Sequence, residues 1–586
     1  MKKITLKLFL LVCCLLSGQY TVIAHDLTFK VPLATQVQAS SQIIEGKVIS
    51  KKSFWDANRE NIYTVNVIEV YKVFKGQQLS MIEVVTPGGT VGLEAQLVTP
   101  SLQLNTHDVG IFLLTANTTA IPTQHAAFKA YSDAQGFYEY NLFNNTVVNP
   151  YRVREGITDF YTTVTGLTNT GYTNMKDFSV DVSANRGTLS IASISPTTAT
   201  AGTFTELTIN GSGFGTTAQN IGFANSDDGG ATFTTAIATQ ILSWSDTQIV
   251  VQIPSKAGTG QVAIINSAGN SILGTSPQTL TIEYAQINIV SDAISAGTNI
   301  AYNTQHVNDD SNGGYTWQMF TDFDANTSAN ASFIRALDTW RCTTDVYWTV
   351  GAVTATDIVA DDGVNIVRFD NGGELPNGVL GRCTSRFSGC LTNGGTVLDW
   401  YVDELDIAFD DGTNWEYGPT APAFTEFDFE SVAVHELGHG HQLDHVIDSN
   451  VVMHFALSNG ESQRNLSAGD ISGAGDVHTR STSAAACGAP LMLDFDCSVL
   501  SVSSEELSAA ISIYPNPSNG RVYINNSGFI TLDSARIYDV NGRLILRKEL
   551  ADTPLNQIDL TTISKGVYFL MVSSDDASIT EKIVIE

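Results

Sequence analysis

Residues 427–445 read Phe427-Asp428-Phe429-Glu430-Ser431-Val432-Ala433-Val434-His435-Glu436-Leu437-Gly438-His439-Gly440-His441-Gln442-Leu443-Asp444-His445, and four of the chain's ten His lie in the last eleven positions. His435 and His439 are four apart, so a helix brings both to one face, one turn apart, where they can converge on a metal ion. Glu436 lies ~100° further round, poorly placed as a third ligand but well placed beside a metal-bound water. On a continuing helix His445 would lie ~9 Å along the axis from His439, whereas Zn–N bonds of ~2.1 Å demand three nitrogens around one point. The helix must therefore break between them, and Gly440 tolerates such a break at little steric cost. Asp428 is a suitable N-cap, and Phe427 can staple onto Val432. Three neutral His leave a fourth position open, which marks a catalytic rather than a closed structural site. His441 is extra to this pattern and is expected to face solvent or sit beside the site, not to bind the metal. His454 either lines a pocket or packs.

Outward from this stretch, Phe333, Ile334, Leu337 and Trp340 repeat at helical spacing within Ala331–Arg341 and predict an amphipathic helix packed on a sheet. Val451-Val452-Met453 follows, with Met453 eight residues after His445. Together with Asp406-Ile407-Ala408-Phe409-Asp410 upstream and Leu466-Ser467-Ala468-Gly469-Asp470-Ile471 downstream, the region resembles the metzincin zinc endopeptidases, and among them the matrixins, over about 150 residues. The resemblance implies His435, His439 and His445 as ligands of a catalytic Zn2+, Glu436 as general base and Met453 as the apolar floor of a Met-turn. It also implies peptide-bond hydrolysis by a zinc-activated water. Where the family pattern has the Gly of its turn, this chain has Gln442. Either Gln442 adopts φ > 0 at ~1–2 kcal/mol or Gly440 redirects the turn. The "PRCGxPD" latency motif of matrixins is absent, and Cys487-Gly488-Ala489-Pro490 lies on the wrong side of the site. The run Asp403, Glu404, Asp406, Asp410 and Asp411 makes structural Ca2+ a secondary expectation, beside that of a solvated acidic loop.

Residues 188–285 alternate short β-rich runs with Gly turns and predict a sandwich. Ile194-Ser195-Pro196, Leu207-Thr208-Ile209-Asn210-Gly211-Ser212-Gly213-Phe214-Gly215 and Trp244-Ser245-Asp246 resemble the immunoglobulin-like IPT/TIG domain. Residues 25–187 carry period-two apolar runs and predict an N-terminal β domain. After a Ser-rich linker at 499–510, residues 511–586 hold Tyr514-Pro515-Asn516-Pro517, Asp539-Val540-Asn541-Gly542-Arg543 and Lys565-Gly566-Val567-Tyr568. Asn-Gly between alternating runs signals a hairpin and another small sandwich. This block resembles the sorting domain of type IX secretion cargo, implying the secretion machinery as a partner. Met1–Ala24, with Lys2, Lys3, Lys7 and the apolar Leu8–Leu16, reads as a signal peptide. The predicted fold class is thus multidomain: a β-rich N-terminal domain, an immunoglobulin-like sandwich, an α+β metzincin domain at 286–498 and a C-terminal β-sandwich.

At 586 residues, with 30 Lys plus Arg against 60 Asp plus Glu and a net charge of -30, the chain is too long for one domain and too acidic to attract nucleic acid or anionic lipid. No segment predicts a transmembrane helix. In an exported chain Cys383/Cys390 and Cys487/Cys497 are plausible disulfides with Cys342 left over; connectivity does not follow from sequence. The composite expectation is a secreted zinc metalloendopeptidase acting on proteins or peptides, free or retained at the cell surface. The rivals are a surface adhesion protein with an inactive metzincin fold and a zinc hydrolase with a non-protein substrate.

Overall fold

The computed structural model describes residues 29–151, 155–178, 189–267, 269, 271–497, 507–508, 510–527, 530–540, 542–551, 553–574 and 577–586. The expected signal peptide and most of the expected linker lie outside these residues. The chain forms two compact units, divided between Asp494 and Phe495. It is a β-rich, multi-sheet protein in which few helices occur.

In the first unit, a central sheet runs in the order Trp348–Val350, Tyr315–Met319, Asn365–Phe369, Val397–Phe409, Gly381–Thr392. The first four strands are mutually parallel, and Gly381–Thr392 returns antiparallel to its neighbour. Parallel strands need crossovers, and the helix Thr327–Thr344 supplies one. Of its apolar stripe, Phe333, Leu337 and Trp340 are fully buried, as the spacing predicts, and Ile334 is half-buried. The helix Phe429–Gly440 lies against it, with Trp340 Nε1 donating to Val434 O at 2.7 Å.

Before this sheet, strands Gln42–Trp55, Ile62–Lys75, Met81–Pro87, Ala127–Ala130 and Val109–Ala116 pair in succession, and Val109–Ala116 pairs back onto Gln42–Trp55. The N-terminal β region is therefore a closed five-stranded barrel, which leaves those strands no free edge. Its strand Glu94–Thr99 leaves the barrel and pairs antiparallel with Gly381–Thr392, from Cys383 opposite Thr99 to Ser388 opposite Glu94.

Two further sheets make the central sandwich. One holds Ser190–Ser195, Glu206–Ser212, Gln248–Gln252 and Ile241–Trp244; the other is built around the long strand Ile272–Gln286. Leu207, Ile209, Ile221, Ile249, Val251, Val262 and Ile264 fill its core. Gly213 and Gly215 take φ of 75° and 73°, so the Gly-rich stretch is a turn that needs the left-handed region. The second unit comprises a three-stranded and a four-stranded sheet around Val522, Ile524, Ile537, Ile558, Leu570, Val572 and Ile583.

The expected cysteine pairing does not form. Cys383 and Cys390 are seven residues apart on one extended strand, ~23 Å at 3.3 Å per residue, far beyond disulfide reach. Cys390 instead bonds Cys487, with Cα atoms 5.4 Å apart. Cys342, expected to be left over, is disulfide-bonded, as is Cys497, and the buried Cys383 is the free thiol among the described residues.

Candidate metal centre

The His helix begins at Asp428, in extended conformation at the N-cap. Its carboxylate does not cap a backbone N–H as expected. It accepts instead from Ser431 Oγ and from Arg464, whose Nε is 2.8 Å away. Every residue from Phe429 to Gly440 is buried, so the helix is a rigid central element rather than a surface one.

The helix ends where the spacing demands. His441 is the C-cap and Gln442 follows with φ +68°. Of the two alternatives for the break, the chain takes the first, a left-handed Gln. Its side chain is fully buried and offsets the strain with hydrogen bonds. Nε2 donates to Gly440 O at 3.0 Å, closing a helix-end carbonyl, and Oε1 accepts from Thr304 Oγ1 at 2.9 Å. The chain then reverses, so that His445 returns beside the helix.

His435, His439 and His445 each present a ring nitrogen within 4.8 Å of the others', and Nε2 of His435 and His439 are 3.0 Å apart. The back of each ring is held. His435 Nδ1 faces Val452 O at 2.7 Å, His439 Nδ1 faces Leu443 O at 2.9 Å, and His445 Nδ1 faces Asp227 Oδ1 at 2.8 Å. These partners assign the Nδ1 protons and leave Nε2 as the lone-pair nitrogen. Burial favours the neutral form of the two helix imidazoles: it lowers His435 well below the ordinary range and His439 to about 3. Neutral, convergent, buried imidazoles fit Zn2+.

Two glycines shape the surroundings. A Cβ at Gly438 would lie 2.2 Å from Met453 Sδ, so the first Gly of the helix admits the methionine against the helix. A Cβ at Gly381 would meet Val432 Cγ1 at 2.9 Å and Glu436 Oε1 at 3.1 Å, so the strand Gly381–Thr392 passes the Glu436 carboxylate closely only because that residue is Gly. The loop with Met453 is tied down by Asp470, which accepts from Val452 N at 3.2 Å and shares a capping box with Ser467. Through Val452 O, Asp470 therefore steadies His435.

His441 is not solvent-facing. It is fully buried among Trp340, Trp348 and His306, with Nε2 3.0 Å from Thr344 Oγ1, and it lies outside the three-His cluster. His454 packs on Phe455, its Nδ1 3.2 Å from Val446 O. The carboxylate run offers calcium no support. Glu404 and Asp406 both accept from Arg386 Nη1, at 2.6 and 2.5 Å, and Asp403 accepts from Ser388. Asp410 and Asp411 gather with Asp370, whose oxygens accept from the loop N–H groups of Gly373, Leu375 and Asp411. Sequence reasoning missed Asp227, Gly381, Gly438 and Thr304. Only Gly438, inside the His motif, stood near a visible signal.

Comparison with known proteins bears on three segments. Residues 396–479 match the Matrixin family, 189–284 the IPT/TIG domain and 512–586 the secretion system C-terminal sorting domain. The fold and the site thus define a secreted, metalloprotease-like protein. Its sorting domain marks it as type IX cargo bound for the cell surface or the extracellular space. Among the described residues no helix is long and apolar enough to cross a membrane. No curated protein matches the chain. A solved structure containing a xylogluco-oligosaccharide aligns with 67% of this chain and 60% of its own length, at 10% identity and a TM-score of 0.17, too loose a likeness to inform the function.

Proposed function

We propose that the protein is a zinc-dependent endopeptidase, with His435, His439 and His445 as metal ligands and Glu436 as general base. The observation that carries the reading is the convergence of three buried imidazoles, each fixed from behind at Nδ1, beside a glutamate on the same helix. The Matrixin match over residues 396–479 supports it independently. Bound there, zinc supplies a Lewis acid that polarises a peptide carbonyl and makes a neighbouring water acidic. Glu436 would hold a proton taken up in the site at its carboxylate and return it to the leaving amine. Its burial strengthens both transfers by excluding competing solvent. Met453, packed against Gly438, keeps the floor of the site apolar and the His pair in place. The substrate is a protein or peptide met outside the cell.

The test is zinc content and cleavage of casein or gelatin by the purified chain beside Glu436→Ala. One zinc per chain, with cleavage lost in the variant and zinc retained, is expected. Absence of zinc, or cleavage indifferent to Glu436, would refute the reading.

A further inference from the structure

Two of the three imidazoles lean on backbone carbonyls of their own neighbourhood; the third leans on a carboxylate from another part of the chain. The strand Ile272–Gln286 of the central sandwich pairs with Leu443–Asp444, the two residues before His445. Ile287 N donates to Gln442 O at 2.9 Å, and Gln286 Nε2 reaches Gly473 O at 3.0 Å. The sandwich thus grips the ligand loop from one side. From the other it presents a short turn, Ser226–Asp228, with Asp227 N held by Asn225 Oδ1 at 3.2 Å. Ser226 N donates to Lys256 O at 3.0 Å, tying this turn to the loop whose Lys256 ammonium pairs with the Asp227 carboxylate.

We propose that Asp227 of the IPT/TIG sandwich is the positioning residue for the third metal ligand. Its carboxylate accepts the Nδ1–H of His445 and turns that ring's Nε2 toward His435 and His439. A carboxylate behind a ligating imidazole fixes tautomer and orientation and raises the basicity of the other nitrogen. Here the group comes from 218 positions away. The sandwich is therefore part of the metal centre and not a spacer, and a matrixin-like segment without it holds a two-ligand site with a loosely aimed third.

This inference rests on the metal site proposed above, and the experiment separates the two. Zinc affinity of the full chain is measured by competition with a chromophoric chelator for wild type, Asp227→Asn, Lys256→Gln and His445→Ala. Asp227→Asn should weaken zinc binding 10- to 100-fold. Lys256→Gln, which breaks the ion pair but leaves the carboxylate on His445, should stay within about twofold, a difference that general loosening of the turn would not produce. If Asp227→Asn unfolds early, Asp227→Glu, which keeps the charge, should restore much of the affinity. Wild-type affinity in Asp227→Asn overturns the inference and leaves the metal site standing. No zinc in the wild type overturns both.

A separate observation concerns access. The strand Gly381–Thr392 passes Glu436, and its outer edge is where an extended peptide would add by strand pairing. That edge is taken by Glu94–Thr99, the strand that leaves the barrel, and Arg382 Nε donates to Pro100 O at 3.0 Å just beyond it. Pro100–Gln103 and His445 line the same cavity, of about 150 Å3. His435, Glu436, His439 and His445 are all 5% exposed or less.

We infer that the strand Glu94–Thr99 keeps the site closed in the intact chain, occupying the edge a substrate must use. Leu97→Pro and Val98→Pro each delete one strand N–H, and because neighbouring N–H groups point opposite ways, one of the two points at the catalytic sheet. The expected result is at least tenfold faster peptide cleavage in one of these variants at unchanged zinc content, and no gain from Val84→Ala in the barrel core. Variants that hold zinc and cleave no faster than wild type overturn the inference.

Discussion

Gln442 holds a left-handed backbone, a conformation that favours Gly, so Gln442→Gly looks like a repair. The structure gives the opposite sign. Gly removes the left-handed strain, a gain of ~1–2 kcal/mol. It also removes two buried hydrogen bonds, at ~1 kcal/mol each, to Gly440 O and from Thr304 Oγ1. The Thr304 hydroxyl, on a residue 1% exposed, then loses its partner at Gln442, a penalty of ~1–3 kcal/mol, and the volume of a fully buried side chain is left empty. The net is a loss of about 2 kcal/mol. Thr304→Val should soften it, because the second change removes the stranded hydroxyl. In a double-mutant cycle the pair should cost about 1 kcal/mol less than the sum. Urea unfolding followed by Trp fluorescence is the assay, since Trp317, Trp340, Trp348 and Trp400 are all buried in this part of the molecule. A Gln442→Gly chain as stable as wild type or more so, or strictly additive costs, would refute the account of how this turn is held.

Three further outcomes follow from the same geometry. Gly381→Ala places a methyl 3.1 Å from Glu436 Oε1 and should lower cleavage at least tenfold at unchanged zinc content; a fully active variant would show that the carboxylate need not sit there. Gly438→Ala drives a Cβ to 2.2 Å from Met453 Sδ and should destabilise by ~1–3 kcal/mol while weakening zinc binding, since Val452 O behind His435 moves with the loop; thermal melting and chelator competition read the two effects. Glu404 is raised to about 8, first by burial and then by Asp406, above its unfolded value of ~4.3. Between these values the folded chain keeps a proton that the unfolded chain has released, so stability falls as pH rises from ~4.5 to 8. Glu404→Gln should flatten that slope in urea midpoints measured across the window, and an unchanged slope would rule Glu404 out as its source.

The legible part of the site was the part built from local spacing. A spacing of four, close to one 3.6-residue turn, places His435 over His439, and no continuing helix can return His445, so a break near Gly440 was readable without coordinates. The buried stripe Phe333, Leu337 and Trp340 and the left-handed Gly213 and Gly215 were equally local. What spacing could not reveal was every contact between residues far apart in the chain. Cys390 met Cys487 rather than Cys383 because an extended strand carries near neighbours apart. His441, polar and next to the motif, went into a cage of Trp340, Trp348 and His306 because the helix end is covered from above.

Sequence alone thus determined the chemistry on offer: three imidazoles, one carboxylate and the helix that presents two of those imidazoles and the carboxylate, since backbone periodicity acts over a few residues. Tertiary structure alone decided how that chemistry is aimed and who can reach it. Asp227 arrives behind His445 from a separate sandwich, and Glu94–Thr99 lies along the strand that passes Glu436. Both are the products of packing whole domains together, and the free energy of that packing depends on complementary surfaces that no short pattern encodes.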